Sequence, residues 1–186
     1  MKTYRVAVVG ATGAVGTTMI TSLEEHKFPC HSLHLFATAR SAGKQMSFEG
    51  QSLTVEDIET CDFSQIDVAL FAGGEVASET FVPRARQAGC MCIDNSASFR
   101  MHEDVPLVVP EVNPQALRLH QGLVANPNCS TIQMVVALQP FTRLGLKRVQ
   151  VATYQSVSGT GKEAIEELEQ QVRAWSQGQA NTEPRV

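Results

Sequence analysis

The stretch "YRVAVVGATGAVGTTMITSLEEH", residues 4–26, decides the fold. It opens with a short apolar run suited to a buried strand and passes through the glycine turn "GATGAVG". It then continues with Val15, Met19 and Leu23 at helical spacing. Strand, turn and helix make the start of a βα unit. Gly10, Gly13 and Gly16 recur three apart in that turn. With no side chains in the way, backbone N–H groups and the helix N-terminus can approach a pyrophosphate. A glycine turn alone is a weak signal, but one at the first strand of an alternating chain is stronger.

Working outward, "SLHLFATARSAGK" (32–44) reads as a second strand with a polar exit, and "DVALFAGG" (67–74) as a third, ending in two glycines. A helix over about 77–88 leads into the strand "CMCID" (90–94). This alternation predicts a parallel sheet covered by helices, with ligand sites at the carboxyl ends of its strands. "LVVPEVNP" (107–114) and "GLVAN" (122–126) read as two more short strands around a helical turn. "STIQMVVAL" (130–138) is apolar enough for a buried helix that Pro140 kinks or ends. The pattern then changes. "KRVQVATYQ" (147–155) alternates like a half-buried antiparallel strand, and residues 161–177 form an amphipathic helix with Ile165, Leu168, Val172 and Trp175 on one stripe. A lone strand is no sheet, so these elements predict the start of a second domain, followed by the polar tail "GQANTEPRV" (178–186).

The chain has 186 residues, 43% hydrophobic and 18% charged, which describes a globular protein with room for one full domain, or one domain and part of another. No apolar run approaches the roughly 20 residues of a membrane span. No secretory leader is evident, so a cytoplasmic location is expected. A net charge of -4 without a basic run lacks the footprint of nucleic-acid binding, leaving small molecules as the expected partners. The cysteines, Cys30, Cys61, Cys90, Cys92 and Cys129, are odd in number and lack metal-ligand spacing, so neither a disulfide framework nor a metal is expected. Cys90 and Cys92 read as small core residues. The histidines, His26, His31, His34, His102 and His120, read as solvated residues of loops and helix flanks.

Two features carry chemistry. NAD-binding chains usually end the second strand with an acid for the ribose 2′-hydroxyl. Here "ATARSAGK" offers Arg40, Ser41 and Lys44 instead, which suits a 2′-phosphate and so NADP. In "LVANPNCSTIQ" (123–133), Cys129 stands where a strand gives way to a helix, with Pro127 stiffening the approach and Asn128 at the cap position. Free amides and the helix dipole at such a site favour negative charge on sulfur, although a core cysteine would look the same in composition. Beside a nicotinamide, a thiolate is the apparatus that oxidises an aldehyde through a thiohemiacetal to a thioester.

"GATGAVG", "ARSAGK", "DNSASFR", "VPEVN", "NPNCST" and "YQSVSGTGK", in that order, resemble aspartate-semialdehyde dehydrogenase over nearly the whole chain. The resemblance implies a Rossmann-like NADP-binding domain of parallel α/β class over 1–128. After it comes the start of an α+β catalytic and dimerisation domain over 129–186. It implies NADP- and phosphate-dependent interconversion of aspartate 4-semialdehyde and aspartyl 4-phosphate, on the route to lysine, threonine and methionine, by a homodimer. By match, Cys129 is the acyl-thioester nucleophile. Thr12, Gly13, Ala14, Val15 and Gly16, with Gly10 in the same turn, hold the pyrophosphate, Arg40 and Ser41 the 2′-phosphate, and Ser158 and Gly159 a later cofactor contact. Arg100 matches the arginine for phosphate or acyl phosphate, Gln155 orients the substrate, and Asn128 lies beside them. Arg100 at a strand's end and Gln155 on the more buried parity of its strand agree with this. Glu111 and Asn113 stay unassigned between site and scaffold. The family's histidine acid/base and carboxylate-binding arginine lie beyond the residues of this chain, which alone is expected to show little turnover. An N-acetyl-glutamyl-phosphate reductase, which usually has glycine before its cysteine, and a non-catalytic NADP-binding homologue are the alternatives.

Overall fold

The computed structural model describes residues 2–179, so most of the polar tail read at 178–186 lies outside the described residues. The chain divides by contacts into two compact units, Met1–Val149 and Gln150–Val186. The first holds β1 (Tyr4–Val9), α1 (Ala14–Glu25), β2 (Cys30–Ala37), β3 (Gln45–Phe48), β4 (Gln51–Asp57) and β5 (Val68–Phe71). It continues with α2 (Glu75–Gln87), β6 (Met91–Asp94), β7 (Leu123–Ala125) and α3 (Cys129–Leu138). The second unit, by itself, is a short 3-10 turn (Val157–Gly159) and α4 (Lys162–Ser176).

The described strands form one seven-stranded sheet in the order β3-β4-β2-β1-β5-β6-β7. All neighbours are parallel except the β3–β4 pair. β1 is central, and its Val6 to Val9 are all buried. Because successive side chains alternate faces, Val6 and Val8 pack with Leu33, Leu35 and Ile20 of α1. Ala7 and Val9 pack with Phe71 and with Phe81, Val82 and Ala85 of α2. A side chain as buried as Phe71 contributes about 1.5–3 kcal/mol. Cys61, Cys90 and Cys92 are buried in the second of these cores, as the sequence predicts for the latter two.

Several expectations are corrected. α1 buries Gly16 and Ile20 rather than the stripe through Val15, which is 44% exposed. The apolar count misses glycine, whose missing side chain is what lets the helix approach. Residues 107–114 make a single bridge, Leu107 to Ala125, because Pro110 interrupts the ladder. Asn113 is scaffold there: its Oδ1 accepts from Val109 N (2.8 Å) and its Nδ2 donates to Leu107 O (2.9 Å). Glu111 is exposed. His31 and His34 lie within β2, and His34 stacks on Phe36. Residues 147–155 form no strand and are exposed, since no strand of the described residues pairs with them. α3 ends before Pro140, as expected, yet has no fully buried residue, and Phe141 and Leu144 beyond it are exposed. On α4, Leu168, Val172 and Trp175 are exposed as well. Among the described residues no helix is long and apolar enough to cross a membrane.

Arg5 and Asp67 clamp the amino edge of β1 and β5. Arg5 Nη2 donates to Asp67 Oδ1 (2.8 Å), while its Nε (3.2 Å) and its backbone N–H (2.8 Å) donate to Oδ2. These bonds hold the Asp67 carboxyl at about 2, below its ordinary 3.8. A depressed folded-state value stabilises the fold above the unfolded value, and that contribution is lost as pH falls toward the folded one. Thermal unfolding followed across acid pH is therefore expected to fall between about pH 4 and pH 2 in the wild type, and to fall less steeply there in Asp67→Asn.

Candidate functional site

Parallel strands put all their carboxyl ends on one edge, and the candidate residues of the first unit collect there. At the centre is the turn after β1. Gly10 N and Ala11 N donate to Phe36 O (2.8 and 3.0 Å), tying the turn to the end of β2. Gly10 has φ +85, and a Cβ built on it would lie 2.6 Å from Gly73 Cα in the loop after β5. A Cβ on Gly16 would fall on the Gly10 carbonyl oxygen, so α1 seats directly on the turn. Gly13 caps α1 without a side-chain hydrogen bond, and the first amide to bond back is Thr17 N to Gly13 O (2.9 Å). The amides of Ala14, Val15 and Gly16 thus precede the helical ladder, as a bound anion requires.

A cleft of about 550 Å³ opens from this turn, a size typical of cofactor sites, ~300–1,000 Å³. Gly10, Thr12 and Gly13 line it, together with Arg40 and Ser41 on the 3-10 turn Ala39–Ser41. Ser41 is buried and receives Lys44 Nζ at 3.4 Å, while Arg40 is exposed. Ala14 and Val15 lie exposed on the first turn of α1, and Gly16 is buried beneath the turn, outside the lining. The sequence reading missed the rest of the wall: Asp57 and Glu59 at the end of β4, Gly73, and Thr80 and Phe81 on α2. Glu59 is paired with Arg84 (3.3 Å). Asp57 and Glu59 are there because β4 inserts beside β2, which the β3–β4 hairpin arranges. Its signal was present as alternating residues around the turn Glu49–Gly50, both at positive φ.

At the far end of the same edge, β7 runs through Asn126 and Pro127 into α3. Asn128 Oδ1 accepts from Ser130 N (3.0 Å), the cap expected from sequence, and places Cys129 as the first residue of the helix. Cys129 is exposed, with Sγ 4.0 Å from Asn128 Oδ1. Burial pushes the Cys61 thiol up to about 12, and contact with Cys90 together with burial pushes Cys92 up as well. Cys61 and Cys92 are therefore held in their unreactive form. Arg100, half-buried, joins two strand ends: Nε donates to Asn126 O (2.9 Å) and Nη2 to Asn95 O (3.0 Å). Nη1 makes no hydrogen bond among the described residues. Gln155, Ser158 and Gly159 belong to the second unit. Gln155 is exposed and donates to Thr153 Oγ1 (3.3 Å) rather than projecting from a strand's buried face. Ser158 N donates to Ser156 Oγ (3.2 Å) in the 3-10 turn.

The family model for the NAD-binding domain of semialdehyde dehydrogenases matches residues 5–120, more than half of the chain. The chain belongs to the semialdehyde dehydrogenase family. The family's dimerisation-domain model matches residues 138–185. The aspartate-semialdehyde dehydrogenase of Aquifex aeolicus is 51% identical over 94% of this chain and 53% of its own length. The crystal structure of aspartate semialdehyde dehydrogenase II of Vibrio cholerae complexed with ASA superposes at TM-score 0.96. It is 44% identical and covers all of this chain and 56% of that one. The Candida albicans enzyme with NADP superposes at 0.63, 26% identical, over 77% of this chain and 48% of its own. The chain spans about half the length of the semialdehyde dehydrogenases it matches.

The seat of α1 on the glycine turn has a measurable cost. Gly16→Ala must displace backbone and is expected to destabilise the first unit by about 3 kcal/mol. Gly43→Ala, at φ +86 with open space around it, meets only conformational strain of about 1 kcal/mol. Urea unfolding of both variants measures the difference.

Proposed function

We propose that the whole protein interconverts L-aspartate 4-semialdehyde and L-aspartyl 4-phosphate with NADP and inorganic phosphate, through a thioester on Cys129. The observation that carries this reading is the exposed Cys129 at the capped start of α3, on the same sheet edge as the cleft from Gly10 to Ser41. The family match, the relatives' names and the NADP of the Candida albicans structure support it.

NADP, when bound, supplies the hydride acceptor of the oxidative direction. In this reading the backbone amides around Thr12, Gly13, Ala14, Val15 and Gly16, with Gly10 shaping the turn, hold the pyrophosphate. Arg40 and Ser41 hold the 2′-phosphate, and Ser158 and Gly159 add a later contact. Cys129 Sγ adds to the aldehyde carbon, forming a C–S bond and a thiohemiacetal whose hydroxyl proton goes to the histidine that the family resemblance places beyond Gln155. Loss of hydride from that carbon leaves the thioester. An oxygen of phosphate, held by Arg100, then attacks the carbonyl; the C–S bond breaks and the acyl phosphate leaves. Asn128 and Gln155 orient the substrate. In this functional division residues 1–128 bind cofactor and 129–186 begin the catalytic and dimerisation domain. The dimerisation-domain match supports a homodimer, and we place the enzyme in the cytoplasm without a nucleic-acid partner.

Phosphate-dependent NADP reduction by aspartate semialdehyde, measured with the whole protein, tests the reading. Cys129→Ser is expected to lose on the order of a thousandfold or more in kcat. Arg40→Ala is expected to raise KM for NADP about 10- to 100-fold, from a lost charge-assisted bond, with little change for NAD. Preference for the N-acetyl-glutamyl substrate, or activity in Cys129→Ser, would overturn it.

A further inference from the structure

Asp94 ends β6 and has no exposed surface, yet the thioester chemistry makes no use of it. Three donors converge on its carboxyl group. Ser78 Oγ, from α2, donates to Oδ1 at 2.6 Å; Ser96 N donates to the same oxygen at 3.1 Å; Ser96 Oγ donates to Oδ2 at 2.7 Å. Ser96 Oγ accepts in turn from Ser98 N (3.2 Å). The loop after β6 is therefore wound around one buried side chain, and α2, which lines the cofactor cleft with Thr80 and Phe81, is fastened to the same point.

The loop leads directly to Arg100. Asn126 N donates to Asp94 O (3.1 Å), and Asn126 Nδ2 to Asn95 Oδ1 (2.7 Å), so β7 is stitched to this loop three residues before Cys129. The Arg100 guanidinium closes the ring on the Asn95 and Asn126 carbonyls. A long cationic side chain ordinarily loses much freedom when fixed on a small anion. Here the fixing is done beforehand by the loop, and the loop's shape rests on Asp94.

We propose that Asp94, with Ser78 and Ser96, is the positioning residue for Arg100. It sets the guanidinium relative to Cys129 so that phosphate meets it in a geometry ready to attack the thioester. The proposal rests on the reading of Arg100 as the phosphate contact. Asp94→Asn keeps the size and one carbonyl oxygen but sets an amide against the Ser96 hydroxyl. A displacement of about 1 Å at such a site costs up to ~100-fold.

The test is steady-state kinetics of the whole protein in the oxidative direction, with inorganic phosphate as the varied substrate. Wild type, Asp94→Asn, Ser96→Ala and Arg100→Ala are compared, and thermal unfolding is measured on each. The expected result is a rise of about 10-fold or more in KM for phosphate in Asp94→Asn and Ser96→Ala. KM for NADP stays unchanged in Ser96→Ala, which keeps the Ser78–Asp94 bond to α2, and the rise does not track the unfolding temperature. Ser96→Ala leaves the carboxylate two of its donors and decides the question if Asp94→Asn does not fold. An unchanged phosphate KM in the folded variants, while Arg100→Ala raises it, overturns the positioning role alone. An unchanged KM in Arg100→Ala overturns the phosphate assignment, and the positioning role with it.

Discussion

The close passage of two backbones, Gly10 after β1 and Gly73 after β5, is the contact on which the rest of the first unit depends. A single Cβ on Gly10 would stand 2.6 Å from Gly73 Cα, so the two loops meet only because Gly10 carries no side chain, while a Cβ on Gly73 would crowd Ala77 Cβ at 2.9 Å. β1 and β5 are adjacent in space but far apart in sequence, and the sheet grows from them in opposite directions. The chain leaves β1 toward one face through α1 and leaves β5 toward the other through α2, and the crevice lies where they part. Gly16 serves the same geometry from the helix side, letting α1 sit on the Gly10 carbonyl. The cleft is thus a consequence of how the sheet is wound, with few specialised side chains in its wall.

The other end of the edge is built on polar groups. Asp94, Asn95, Asn126 and Arg100 bind the ends of β6 and β7 to each other through hydrogen bonds, most of them to backbone. A buried carboxyl is tolerable only when its hydrogen bonds are satisfied, and here three donors meet that need. Their effect is to bring an arginine and a capped, exposed cysteine onto one rigid margin. The buried thiols of Cys61 and Cys92 are kept unreactive by the surroundings that make them good core residues.

Much of this was legible in the sequence because it rests on local signals. The glycine turn, the polar exit of β2 with Arg40 and Ser41, and the cap at Asn128 each depend on a few neighbouring residues. What escaped depends on contacts made at a distance. Asp57 and Glu59 reach the cleft only because β4 pairs with β2, and Asp94 reads as no more than the acid that ends a strand until Ser78 is seen against it. The strand read at 147–155 failed for the opposite reason. Its alternation is genuine, but a strand needs a partner, and none of the described residues supplies one. The apolar face of α3 likewise finds no covering layer among them. The motif order carried the family match further than any element boundary could.

In the proposed mechanism the thiol at the start of α3 carries the acyl group. The most direct measurement is mass spectrometry of the whole protein, mixed with aspartyl phosphate in the absence of reduced cofactor, acid-quenched and digested. One aspartyl adduct is expected, on the peptide containing Cys129, released by added phosphate. An adduct on another cysteine, or turnover with no adduct in the wild type, would contradict it.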